Sequence, residues 1–174
     1  MSSRRRILAA FLVLLSSLCL SAWLLAPAAY TWLELTDERT GRRIVSQLLP
    51  DGEKLVLTWT NSLFRLPVTE VFVAGSGVLT LTEITFGDPT GREPPRVRTE
   101  DVNDLYHTGG PFKAEGLSRR VSRVVFRVGE IGHPAIKVLD RVVDFTQEVG
   151  FGGAVLLVAR PASFRERVAQ WSSR

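Results

Sequence analysis

The sequence predicts a mainly β fold: an antiparallel β sandwich or barrel-like domain with an N-terminal transmembrane helix and a short C-terminal amphipathic helix. Three observations carry this. Residues 7–30 contain no charged side chain, residues 31–160 break into short β-rich runs separated by turn residues, and residues 161–174 open on a helix-capping pattern. Short strands at regular spacing, punctuated by Gly, Pro, Asn and Asp, are the signature of a sandwich or barrel. With 174 residues, 45% apolar and 23% charged, the chain has the composition of one globular domain plus an appendage.

The first element is the run ILAAFLVLLSSLCLSAWLLAPAAY. A helix of roughly 20 residues at ~1.5 Å per residue crosses a ~30 Å hydrocarbon core and satisfies its own backbone, as lipid requires. Arg4, Arg5 and Arg6 precede the run, and Glu34, Asp37 and Glu38 follow it. The positive-inside rule then leaves the N-terminus in the cytoplasm. The expectation is a single-pass protein of the cytoplasmic (inner) membrane, touching lipid through residues 7–29, with its domain on the periplasmic or outer side. A cleaved signal peptide, with Ala26, Ala28 and Ala29 as the processing site, is the competing expectation. The run exceeds the ~7–15 residues of a signal core, and Pro27 interrupts the alanines. Either way the rest is exported. The single cysteine, Cys19, lies inside this run behind Leu18 rather than a small residue, so it reads as apolar filler.

The chain thus divides into a cytoplasmic tip and anchor (1–30), an exported β domain (31–160) and a C-terminal helix (161–174). Its net charge of +4, from 22 Lys and Arg against 18 Asp and Glu, owes most to Arg4, Arg5 and Arg6; without them the balance is 19 to 18. Nucleic acid is not an expected partner, because Glu38, Glu53, Glu70, Glu83 and Glu93 interrupt any basic face.

Within the exported domain WLELTD and RRIVSQLLP read as strands ending at the Thr40-Gly41 and Pro50-Asp51-Gly52 turns. KLVLTWTNS alternates, with Leu55, Leu57 and Trp59 on a core face. Val68–Ala74 and Val78–Phe86 form a hairpin about Gly75-Ser76-Gly77. The stretch from Gly87 to Arg120 has no sustained period and reads as a long loop with one helical turn near Asp101. Val121–Val128 returns to strand, AIKVLDRVVDF is a hairpin turned at Leu139-Asp140, and AVLLVA closes the sheet. Asp144 caps a helical turn ended by Gly150. Ser163 with Glu166 forms a capping box, and Phe164, Val168 and Trp171 share one face of the last helix.

Chemistry-bearing patterns are sparse. His107 and His133 have no companion at ligand spacing, so neither a metal nor a cofactor is expected. Ser62 lacks the glycine-flanked elbow of a hydrolase nucleophile, and no catalytic residue is assigned. Gly150, Gly152 and Gly153 lack the Lys-Ser or Lys-Thr of a phosphate loop and suit positive φ or close packing instead. Glu70 and Glu83 interrupt β-rich runs, and by alternation each shares a face with apolar neighbours: Val68 and Phe72 for Glu70, Leu79 and Leu81 for Glu83. Buried carboxylates need partners, and Arg127 is the expected one. A structural ion pair and a ligand-binding cluster both fit that trio.

The segments LVLTWTNSLFRLPVTEVFV, LTLTEITFG and FRVGEIGHPAIKVLDRVVDFTQEVGFGGAV resemble the family known as domain of unknown function 1850 over roughly Leu33–Leu157. The motifs are the Ser62–Pro67–Glu70 spacing, the Glu83-x-x-Phe86 strand end and the Gly129–His133 stretch. Members often carry His-Ser where this chain has Asn61-Ser62, so no metal or proton-transfer role transfers to Asn61. The resemblance does not imply an enzyme. It implies an envelope accessory, binding the permease or the solute-binding protein of a TRAP-type (TAXI class) uptake system. The alternative is an independent module binding a small carboxylate with Arg127 as counter-ion. An envelope hydrolase requires Ser62, His133 and Glu70 to converge. Across these readings the candidate binding residues are Asn61, Ser62, Glu70, Glu83, Arg127, His133, Gly150, Gly152 and Gly153.

Overall fold

Apolar residues at every second position make this a two-sheet protein. The computed structural model describes Ser16 and residues 30–171. The expected anchor over 7–29 lies, Ser16 apart, outside the described residues, as do the side chains of Phe164, Val168 and Trp171. Among the described residues no helix is long and apolar enough to cross a membrane.

The chain runs through β1 (Tyr30–Asp37), β2 (Arg43–Pro50), β3 (Lys54–Thr60), β4 (Pro67–Gly75), β5 (Val78–Phe86), α1 (Val102–Thr108), β6 (Phe112–Val121), β7 (Arg123–Arg127), β8 (Ala135–Val138), β9 (Arg141–Asp144), α2 (Phe145–Val149), β10 (Ala154–Pro161) and α3 (Phe164–Trp171). One sheet has the order β2-β1-β10-β7 and the other β6-β5-β4-β3-β8-β9. Every strand pairing within them is antiparallel. The sandwich is therefore open, with edges on both sheets, rather than a closed barrel.

The inner faces read directly from the alternation. Leu33 and Leu35 of β1, Leu55 and Leu57 of β3, Phe72 and Ala74 of β4, and Val155 and Leu157 of β10 form one buried core between the sheets. A second apolar cluster, Val68, Ile84, Phe86, Phe112 and Ala114 with Leu66 and Val102, lies on the six-stranded sheet. There Leu105 and Tyr106 of α1 pack against it instead of a second sheet. Phe86 is its centre, stacked on Phe112 at 4.7 Å and met edge-on by Tyr106 at 4.9 Å.

Two expectations need correction. The long loop over Gly87–Arg120 holds all but the last residue of a ten-residue strand, β6, besides a 3-10 turn at Thr99–Asp101 and α1. Only Phe112 and Ala114 of β6 are buried, so its outer half offered no hydrophobic period to detect. The strand expected over Val121–Val128 is two elements, because Val121 ends β6 in one sheet and Arg123 begins β7 in the other. The remaining strands, α2 and α3 lie where the turn and cap residues put them, and α1 follows the turn expected near Asp101 without a side-chain cap. Asp144 accepts the N–H groups of Thr146 and Gln147, and Ser163 and Glu166 cap each other across α3. The Arg160 guanidinium, held over the Trp32 ring, pairs with Glu166 and lowers that carboxyl to about 2.

A cleft floored by Glu70

β4 presents Val68, Glu70, Phe72 and Ala74 to the interior, opposite Trp59, Leu57 and Leu55 of β3. Glu70 therefore points where alternation put it, between Leu57 on one side and Ile84 of β5 on the other, both almost wholly buried. It lies between the core of the sandwich and the cluster under α1. The four-stranded sheet covers one half of the inner face, α1 covers the other, and the carboxyl lies at the seam.

Two clefts open along that seam. The larger, about 530 Å³, has Phe72, Leu81 and Ile84 on its floor, Val102 and Tyr106 of α1 on one wall and Val124 and Phe126 of β7 on the other, with Arg119 among its lining residues. The smaller, about 250 Å³, is lined by Leu57, Trp59, Val125, Phe126, Arg127 and Pro134. Glu70 and Phe126 line both. A concave, mostly apolar site with a few convergent polar groups is the usual form of a small-molecule site.

The Tyr106 hydroxyl donates to Glu70 Oε1 at 2.9 Å. Burial raises the Glu70 carboxyl above its ordinary 4.5, although the Tyr106 hydroxyl, the Trp59 indole and the Arg119 guanidinium all favour its charged form. Burial and the adjacent carboxyl push the Tyr106 phenol upward, so it remains a donor. Arg119 is exposed, and among the described residues its side chain forms no ion pair or hydrogen bond; its Coulombic effect reaches both Glu70 and Tyr106.

The expected trio of Glu70, Glu83 and Arg127 does not form. β5 carries an extra residue, Thr82, between the pairs Val71↔Glu83 and Phe72↔Leu81, and Thr82 Oγ1 donates to the Val71 carbonyl. This bulge shifts the alternation by one, as bulges do. Leu79 and Leu81 face inward before it, Ile84 and Phe86 after it, and Glu83 turns outward beside Glu115 of β6. Arg127 lies opposite Ala154 at the exposed end of β7, and no ion pair joins it to either glutamate among the described residues. The guanidinium that acts on Glu70 is Arg119, which sequence reasoning placed in a loop. A signal for it existed: Phe112 and Ala114 alternate, and Gly116 in a strand marks a bulge.

The other candidates gather at the far end of the domain from Tyr30, where they build turns. Asn61 is buried, and its Oδ1 accepts the N–H groups of Leu63 and Phe64, closing the turn after β3. Ser62 is exposed beside it. His133 packs its ring edge-on to Phe151 at 6.0 Å. Gly150 and Gly152 hold φ of 72° and 76°, and a Cβ on Gly153 would meet the Val149 carbonyl at 2.5 Å, which is the packing role that the GFGG run suggested. No hydrogen bond links Ser62, His133 and Glu70 among the described residues, so the hydrolase arrangement is not assembled. Nor do the described residues contain a group of three or more His, Cys, Asp or Glu that could hold a metal ion.

Compared with protein-family models, curated proteins and solved structures, the chain has no match.

Proposed function

We propose that the exported domain binds a small amphipathic carboxylate in the larger cleft. The ligand's apolar body would lie over Phe72, Ile84 and Phe126, and its carboxylate would lie against the Arg119 guanidinium. The observation that carries this reading is an apolar cleft lined by an arginine that forms no ion pair among the described residues, with a carboxyl on its floor that already accepts from Tyr106. A guanidinium binds a carboxylate bidentately, and at Arg119 it need not first break an internal pair. The counter-ion role that the sequence assigned to Arg127 passes to Arg119 on this reading. Burial raises the Glu70 carboxyl, which weakens its competition with an incoming anion for the Arg119 guanidinium. The apolar segment 7–29 would tether the domain outside the cytoplasmic membrane. The resemblance to the domain of unknown function 1850 family adds a TAXI-class TRAP uptake system as the place where the bound solute would be used.

Isothermal titration of the full chain in nanodiscs with 3-phenylpropionate and with neutral 3-phenylpropanamide tests this. The carboxylate should bind the more tightly, and Arg119→Ala should remove about tenfold of that preference, the worth of one charge-assisted contact of about 1.4 kcal/mol. Equal affinity for acid and amide, or binding that Arg119→Ala leaves unchanged, would sink the proposal.

A further inference from the structure

The four-stranded sheet ends on β7, and the ladder to β10 decides which of its backbone groups are left over. Ala159 donates its N–H to the Ser122 carbonyl, Val128 donates to the Gly153 carbonyl, and the Val128 carbonyl accepts from Gly152. The register between these points, Arg123↔Val158 to Arg127↔Ala154, is unbroken. In an antiparallel ladder alternate residues turn both backbone groups to the same side. Ser122, Val124, Phe126 and Val128 therefore face β10, and the N–H and C=O groups of Arg123, Val125 and Arg127 face the open side. Both clefts border that side, the larger through Val124 and Phe126 and the smaller through Val125, Phe126 and Arg127.

The edge strand β6 is treated in the opposite way. Its outer edge is covered by the preceding segment: Val97 donates its N–H to the Lys113 carbonyl, Lys113 donates to the Pro95 carbonyl, and Arg96 and Lys113 both pair with Glu115. On β7 neither flanking arginine forms an ion pair among the described residues, and no hydrogen bond reaches the outward backbone groups.

We propose that the open edge of β7 docks an extended segment of a partner protein, which joins the four-stranded sheet as an antiparallel fifth strand. Acidic residues of that segment lie opposite Arg123 and Arg127, and a β-branched residue lies opposite Val125. Strand addition draws affinity from main-chain hydrogen bonds and specificity from alternate side chains. The pattern selected is acid–apolar–β-branched–apolar–acid, with the two apolar residues directed inward beside Val124 and Phe126. A second copy of this chain is the wrong occupant. Antiparallel pairing about Val125 would set Arg123 against Arg127 of the copy twice over, and like charges directly opposite destabilise a pair. The two arginines thus guard the edge against itself while favouring an acidic partner.

The probe is a fluorescein-labelled peptide, Gly-Ser-Glu-Leu-Val-Leu-Glu-Ser-Gly, with a control in which both Glu are Lys, titrated by anisotropy against the full chain in nanodiscs. The Glu peptide should bind about tenfold more tightly than the Lys peptide, and Arg123→Glu with Arg127→Glu should reverse the order. Val125→Pro removes only an outward N–H, which an edge strand tolerates; it should abolish binding and leave the thermal midpoint in place. Equal affinity for the two peptides, an unreversed order in the charge-swapped protein, or a β7-dependent dimer by sedimentation overturns the proposal. If Val125→Pro does not fold, the charge reversal alone decides.

Discussion

The two halves of the six-stranded sheet bury one continuous face under different roofs. Over Leu55, Phe72 and Ala74 the roof is a second sheet, whose Leu33, Leu35, Val155 and Leu157 make a core of hydrocarbon alone. Over Val68, Ile84 and Phe86 the roof is the seven-residue α1 with the loop that leads into it. A sheet fixes its cover at many backbone points, whereas a short helix is fixed by a few side chains and is marginal without them. The lesson is that the clefts open at the joint between covers, where a carboxyl is half-sheltered.

Four measurements would break or sharpen that contrast. Phe86 is fully buried and touches Phe112, Tyr106 and Trp59, so Phe86→Ala should cost about 3–5 kcal/mol in denaturant unfolding of the full chain. Hydrogen exchange should then quicken in α1 before it quickens in β1 and β10; uniform loss of protection would show that the halves are one unit. Next in size is Tyr106→Phe, which strips the Glu70 carboxyl of a donor in a low-dielectric setting and should cost about 1–3 kcal/mol. A neutral result would mean that water replaces the hydroxyl and that the seam is wetter than its lining suggests.

The third measurement uses pH. The folded-state value of Glu70 is raised above 4.5 by burial, so the folded protein holds this proton more tightly than the unfolded chain. The stability that follows is fully present below 4.5 and is lost as pH rises through the folded value. Glu70→Gln still accepts from Tyr106 and should remove that slope, giving a variant whose stability advantage over the parent grows as pH rises from 4.5. An unchanged slope in pH-dependent melting would place the carboxyl in solvent. Once the ligand is fully ionised, its affinity should weaken as pH rises in the parent and stay flat in the variant. The smallest effect belongs to Glu83→Gln, expected within about 0.5 kcal/mol because the side chain is on the outer face; a loss of several kcal/mol would return it to the interior.

Part of this architecture is legible in the sequence. Turn and cap chemistry is local, and local signals placed the Ser76-Gly77 hairpin, the Asp144 cap, the Leu139-Asp140 turn and the Ser163–Glu166 box. The inward aim of Glu70 was also legible, since Val68, Glu70 and Phe72 alternate without interruption. Glu83 was not, because the bulge at Thr82 is set by pairing with β4 and leaves no mark in the strand's own composition. β6 was lost to its polarity: beyond Ala114 it runs Glu115, Gly116, Leu117, Ser118, Arg119, Arg120, which no period-two template recognises. With β6 went Arg119, and with Arg119 the cation beside Glu70. The seam itself has no sequence signature, as it is made by covers drawn from residues some twenty to eighty positions apart in the chain.

The inserted residue at Thr82 also behaves like an expansion joint in masonry. It lets the wall bend where Glu70 sits while both panels keep the same finish toward the interior. A chain lacking that one residue would still send Leu81 and Ile84 inward, now by plain alternation, but with less local twist to part the roofs above them. Deleting Thr82 is therefore expected to preserve the core and narrow the aperture, readable as weaker 3-phenylpropionate binding at unchanged thermal stability. Aperture can then be tuned in steps of a single codon, without touching any residue that lines the cleft.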